Sequence, residues 1–178
     1  MIVARMVVTA VTLASVLAVP PSVQAAPAPV LVSRNGDWSA FKLDAAARTV
    51  CYVVTGAKDI EPKDAALKTG KEQPTTIYLS TYPARRIAHE LTVNLGHALE
   101  KGGSLTASII GGDQFTLPVL GDLGYAPSPK SEIAIVGALR KAAKLVMVSR
   151  SPEGVVITET FSLLGLGEAL ADADKACS

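Results

Sequence analysis

The sequence predicts a mainly β fold: an antiparallel β-sandwich with two short helices, one of them at the C-terminus. Three observations carry this expectation. In Arg86–Leu95, the side chains of Ile87, His89, Leu91, Val93 and Leu95 alternate with Ala88, Glu90, Thr92 and Asn94, and a period of two marks a strand with one buried and one wet face. Lys101-Gly102-Gly103 and Gly111-Gly112-Asp113 suit hairpin tips, where tight turns need the positive φ that glycine adopts freely. Helical periodicity is confined to Ser131–Lys144 and about Leu166–Ala176. Many strands, hairpin turns and few helices favour two packed antiparallel layers.

The elements follow in chain order. Met1–Ala25 carries Arg5 as its only charge, an apolar run Met6–Val19, Pro20-Pro21, and Val23-Gln24-Ala25. That order of basic start, short apolar run and small-x-small site describes a secretory signal peptide cleaved after Ala25 or Ala26. The apolar run falls short of the roughly 20 residues that a spanning helix needs. Residues 26–35 read as an extended leader, and 36–178 as a single domain. Gly36-Asp37 turns the chain into a strand beginning at Trp38, the sole tryptophan and a core anchor. Asp44–Arg48 is a turn. Thr49–Thr55, dense in β-branched and aromatic residues, is a strand containing Cys51. Gly56–Pro74 is polar and reads as a long surface loop or flap.

Thr75–Leu120 then supplies four strands. Pro118 places the last of them near a sheet edge, since proline donates no ladder hydrogen bond. Gly121–Pro129 reads as irregular. Ser131 or Ser128 caps the first helix, whose Glu132 start and Arg140, Lys141 and Lys144 end complement the helix dipole. Leu145–Arg150 and Val155–Leu163 form a hairpin about Ser151-Pro152-Glu153-Gly154. In the last helix Leu166, Leu170, Ala173 and Cys177 share one face, which carries Cys177 inward.

Composition narrows the class. The chain has 17 Lys+Arg and 16 Asp+Glu, and loss of Arg5 with the signal peptide leaves the charges balanced and well mixed. No one-sided basic surface suited to nucleic acid is present. Two cysteines in an exported chain invite one disulfide, Cys51–Cys177. The alternative is two separate buried thiols.

Catalytic and metal-binding patterns are weak. His89 and His97 are the only histidines. They would share a strand face, but no cysteine or acidic cluster accompanies them, and no metal or other cofactor is expected. Ser39-Ala40-Phe41-Lys42 and Lys68-Thr69-Gly70 match two short motifs of penicillin-recognising enzymes. They lie too close together, and the third motif is missing. No catalytic residues are assigned. Asp172 and Asp174 read as a solvated helix face. Arg85-Arg86, following Tyr82-Pro83, reads as a pair that gates a strand start or edge, with contact to an anionic partner as the alternative.

GDW at Gly36–Trp38, VCYVVT at Val50–Thr55, IYLSTYPARRIAHELTVNLGHALEKGGSLTASIIGGDQFTL at Ile77–Leu117 and TETFSLLGLGEALADADKAC at Thr158–Cys177 resemble the invasion-associated locus B family in order and spacing. Trp38, Cys51 and Cys177 match the family's W…C…C framework. A further cysteine that some members carry shortly after the tryptophan is absent. The resemblance implies a Gram-negative protein of the periplasm or outer envelope, or a secreted one, with no established catalytic residues. The signal peptide, the sandwich pattern and the absence of a convergent catalytic set make the leading expectation a non-enzymatic protein acting by contact with an envelope or host component. The alternative is a small-molecule or glycan binding module with Gly56–Pro74 as a lid. The least favoured is a hydrolase using His89 or His97.

Overall fold

A computed structural model of the chain describes residues 27–45, 48–63 and 74–178. The expected signal peptide, the Lys68-Thr69-Gly70 motif and most of the expected lid lie outside them. Among these residues the fold is mainly β and antiparallel, with two α-helices, one at the C-terminus, as the sequence predicts. Its strands are β1 (Val30–Asn35), β2 (Trp38–Ala45), β3 (Arg48–Gly56), β4 (Asp59–Glu61), β5 (Thr76–Tyr82), β6 (Ile87–Asn94), β7 (Ser104–Ile109), β8 (Gln114–Leu120), β9 (Leu123–Tyr125), β10 (Lys144–Arg150) and β11 (Val156–Ser162). The helices are α1 (Pro129–Leu139) and α2 (Leu166–Cys177).

All of the described strands belong to one 11-stranded sheet in the order β1-β2-β3-β5-β6-β9-β8-β7-β10-β11-β4. The layers expected of a sandwich are thus halves of one continuous sheet. The corner is β8: Gln114–Pro118 pairs with β7, while Val119 and Leu120 pair with β9. Side chains from both halves meet in one core. Ile77 and Leu91 of the first half, Leu117, Leu145 and Met147 of the second, and Ile135 and Leu139 of α1 surround a void of only about 10 Å³. The opposite side is tied by Lys58 N–H donating to Thr160 O at 2.7 Å and the Trp38 indole N–H donating to Ser162 O at 3.1 Å.

Helix α2 buries Leu166, Ala169, Leu170 and Ala173 and packs on β1, β2 and β3. Cys177 at its end is joined to fully buried Cys51 of β3, Cα to Cα 5.9 Å. Two glycines allow α2 to start where it does. Gly36 has φ +56° and Gly165 φ +91°, and a Cβ on Gly165 would stand 1.9 Å from the carbonyl oxygen of Asn35. Helix α1 is capped by the Ser128 hydroxyl, which accepts from Ser131 N–H at 3.1 Å. Since β9 reaches only Thr92–Asn94 of β6, the next free ladder donor, Leu91 N–H, gives its hydrogen bond to Glu132 of α1 at 2.8 Å.

Several expectations change. Residues 30–35 of the expected leader form edge strand β1. The Gly56–Pro74 flap contains β4, which pairs with β11. Leu123–Tyr125, expected to be irregular, is β9. Helix α1 starts earlier and ends at Leu139, leaving Lys144 to open β10. The long alternating strand is interrupted near its start: Arg86 and His89 have φ 55° and 57°, and the β5–β6 register shifts between Ser80 and Tyr82. His97 lies beyond the end of β6, so the two histidines do not share a strand face.

Candidate functional site

The outward side of the first half-sheet collects the tyrosines. Inward positions on β2, β3 and β5 hold Trp38, Ala40, Cys51, Val53, Ile77 and Leu79, all buried. Their alternates point out. Phe41 of β2 faces Tyr52 of β3 across the ladder, with ring centroids 5.4 Å apart and planes at 18°. Tyr78 of β5 follows, 5.9 Å from Tyr52. Thr92 continues the row to Tyr125 of β9, and Leu31 of β1, 43% exposed, extends it to the sheet edge. Tyr82 ends β5 with the same outward parity. All four tyrosines of the chain therefore lie on one face. Each is partly exposed. Burial, then the neighbouring Tyr78, raises the Tyr52 phenol above its ordinary pKa.

At one end of this face lies a groove of about 610 Å³. Its floor is Leu43, Ala45 and Val50; Tyr82, Ala84, Arg85, Arg48 and Thr49 form its rim. A single 3₁₀ turn, Pro83–Arg85, follows Tyr82 and ends on Arg86 in the left-handed region. This turn brings the Arg85 guanidinium over the Tyr82 ring, 5.4 Å from its centroid. Of the Arg85-Arg86 pair singled out in the sequence, only Arg85 lines the groove; both are exposed. Arg48 and Tyr82 were not singled out. They reach the site only through β3–β5 pairing, which no local pattern announces.

The histidines occupy two different settings. His89 Nε2 lies 2.9 and 3.0 Å from the carboxylate oxygens of Asp174 on α2. Beside it a groove of about 310 Å³ is lined by Ala88, Glu132, Ile133, Val136, Gly137 and Arg140. His97 is 1% exposed, and its Nε2 meets the Ser149 hydroxyl at 2.7 Å. Its Nδ1 lies 3.9 Å from Glu159 Oε1.

Ser149, His97 and Glu159 therefore stand in the order of a nucleophile, base and acid. Ser149 is only 6% exposed and Glu159 2%, and none of the three lines the cavities described above. The Nδ1–Oε1 separation also exceeds hydrogen-bond length. Burial pushes the Glu159 carboxyl up to about 7, against opposing hydrogen bonds from the Thr75 hydroxyl and backbone. The sequence did hold a signal for this cluster. Ser149 follows Leu145 and Met147 in core phase on β10, and Glu159 sits between Ile157 and Phe161 on β11.

Among the described residues, no group of three or more His, Cys, Asp or Glu side chains could hold a metal ion. Nor is any helix among them long and apolar enough to cross a membrane. No family model matches the chain, nor does any curated protein or solved structure.

Proposed function

We propose that this is an exported, non-enzymatic protein of the bacterial periplasm or envelope, which acts by contact with an envelope or host component through its outer tyrosine face. The observation that carries the reading is the placement of all four tyrosines, Phe41 and Leu31 on that one face. Tyrosine supplies large contact area at small entropic cost, and aromatic residues are enriched at the cores of protein interfaces. Neither helix claims the face: α2 packs on the inward side, and α1 turns Ile135, Val136 and Leu139 into the core.

Export is supported by the signal-like N-terminus and by the Cys51–Cys177 disulfide, which suits an oxidising compartment. The resemblance to invasion-associated locus B proteins points the same way, and the closed disulfide keeps its W…C…C framework together. A hydrolase is the least supported reading, because the Ser149 hydroxyl is buried.

The small-molecule alternative has its own observation, the groove beside Tyr82. A glycan is less well served. Phe41 and Tyr52 stack on each other at 18°, so one face of each ring is already taken.

Photo-cross-linking in intact cells tests the contact reading. A benzophenone amino acid is placed at position 52 or 78, with position 130 on α1 as the control. The expected result is one reproducible protein adduct from the outer face and none from the control. Adducts absent from positions 52 and 78, or equally abundant from position 130, refute it.

A further inference from the structure

We infer that the groove between Arg48, Tyr82 and Arg85 is a binding site for a small amphipathic carboxylate, an apolar body ending in one acidic group. Its volume of about 610 Å³ falls within the roughly 300–1,000 Å³ of small-molecule sites. The lining divides by chemistry. Leu43, Ala45 and Val50 offer an apolar floor, and the rim carries Ala84, the Tyr82 ring and the two guanidiniums; among the described residues no acidic side chain contributes. Among the described residues neither Arg48 nor Arg85 is paired with a carboxylate. The nearby Asp44 is engaged by Lys42 at 3.4 Å and the Thr49 hydroxyl at 2.8 Å.

A second observation falls on the same segment. Among the described residues, the two non-glycine residues with positive φ, Arg86 and His89, flank the stretch that follows Arg85. Such conformations carry a cost and concentrate where surrounding structure holds a functional group in place. Here Arg86 closes the 3₁₀ turn, its N–H donating to Pro83 O at 3.0 Å. The turn lays Arg85 against the Tyr82 ring. The guanidinium is thereby held before a ligand arrives, and its N–H edges suit the two oxygens of a carboxylate. The other groove, beside His89, lacks this character, because Glu132 lines it and Asp174 pairs with the histidine.

This inference shares the outer face with the contact reading but does not need a protein partner. The test uses decanoate and decanol, which share a chain and differ in charge. Each is titrated below its aggregation concentration into the oxidised chain lacking residues 1–25, by amide NMR. Decanoate is expected to shift the signals of Leu43, Val50 and Tyr82–Arg85, and to bind at least tenfold more tightly than decanol. Arg85→Gln should weaken decanoate roughly tenfold, the scale of a lost charge-assisted contact, and leave decanol unchanged. Ala84→Trp, on the exposed turn, should block both. Circular dichroism of each variant confirms that it folds. Equal binding of decanoate and decanol, shifts confined to other surfaces, or no decanoate binding at millimolar concentration overturns the inference. So does binding of an acidic peptide with none of decanoate. The cross-linking outcome at positions 52 and 78 is independent of all of these.

Discussion

Replacing Glu159 by glutamine should remove a large pH dependence of stability. The carboxyl is 2% exposed, and burial raises its pKa from 4.5 to about 7. In the unfolded chain it ionises near its ordinary value. Between these two points the native state holds a proton that the unfolded state releases. The contribution to stability is thus complete below about 4.5 and is lost as pH rises through about 7. A shift of about 2.5 units at about 1.4 kcal/mol each sets a ceiling of about 3 kcal/mol. Glutamine keeps the shape and a carbonyl for the Thr75 donors but cannot ionise. Glu159→Gln should therefore match the wild type near pH 4.5 and exceed it at pH 8, by up to about 3 kcal/mol. With a urea dependence of about 2 kcal/mol per molar, the midpoint difference approaches about 1.5 M. The fluorescence of Trp38, fully buried and the only tryptophan, follows unfolding directly, with the disulfide kept oxidised. His97 faces the carboxylate at 3.9 Å, and the variant separates the two groups. A pH slope unchanged in Glu159→Gln would place the titration on another group and refute the reasoning, as would a variant less stable than wild type at pH 8.

Three further outcomes follow from the packing. Cys51→Ala with Cys177→Ala, or reduction of the wild type, should cost about 5 kcal/mol in urea unfolding, because the bridge closes a loop of 126 residues. An unchanged midpoint would mean that the bridge adds nothing to the docking of α2. Gly165→Ala should cost about 2–3 kcal/mol, since φ +91° is combined with a Cβ 1.9 Å from the Asn35 carbonyl oxygen. A thermal midpoint within a degree of wild type would show that the loop shifts freely. Ser128→Ala should cost about 1 kcal/mol by leaving Ser131 N–H without its cap. Ser128→Asp should recover most of that loss, and failure to do so would deny the capping role.

The elements legible in the sequence were those whose signal is local. Val53 and Thr55 alternate with Tyr52 and Val54 within β3, and Ser151-Pro152-Glu153-Gly154 turns β10 into β11 with Gly154 N–H donating to Ser151 O at 2.9 Å. The C-terminal helix could be placed from its apolar spacing, which also turned Cys177 toward Cys51. What escaped was set by distant partners. Asp59-Ile60-Glu61 has no strand pattern and becomes β4 only because β11 offers an edge. Leu123–Tyr125 is too short to show a period, yet it joins the two halves of the sheet. Arg86 and His89 have side chains that give no sign of positive φ, so the break in β6 was invisible, and with it the true position of His89. The groove was half legible. Arg85 stood out as part of a basic pair, but its cationic companion Arg48 lies far off in sequence, at the start of β3.

Where the polar groups sit argues for the proposed division of labour between the two sides of the first half-sheet. A carboxylate acting as an acid or base must meet a substrate, and the burial that raises Glu159 also closes it off. Its neighbours Thr75 and Ser149 are 0% and 6% exposed, so the cluster forms a polar seam between the halves of the sheet. Such a seam costs stability at neutral pH, and it favours the one register in which Ser149, His97, Glu159 and Thr75 all find hydrogen bonds. The outer face has the opposite economy. Its tyrosines keep part of their surface in water, no carboxylate among the described residues lines the groove at its cationic end, and Arg85 is already held against Tyr82. Little ordering is left for binding to impose there, which is the condition under which a modest contact area yields useful affinity. If the outer face is the working surface, substitutions at Tyr52, Tyr78 and Arg85 should impair partner capture while leaving unfolding midpoints nearly unchanged. Glu159→Gln should do the reverse, altering stability with pH and leaving capture intact.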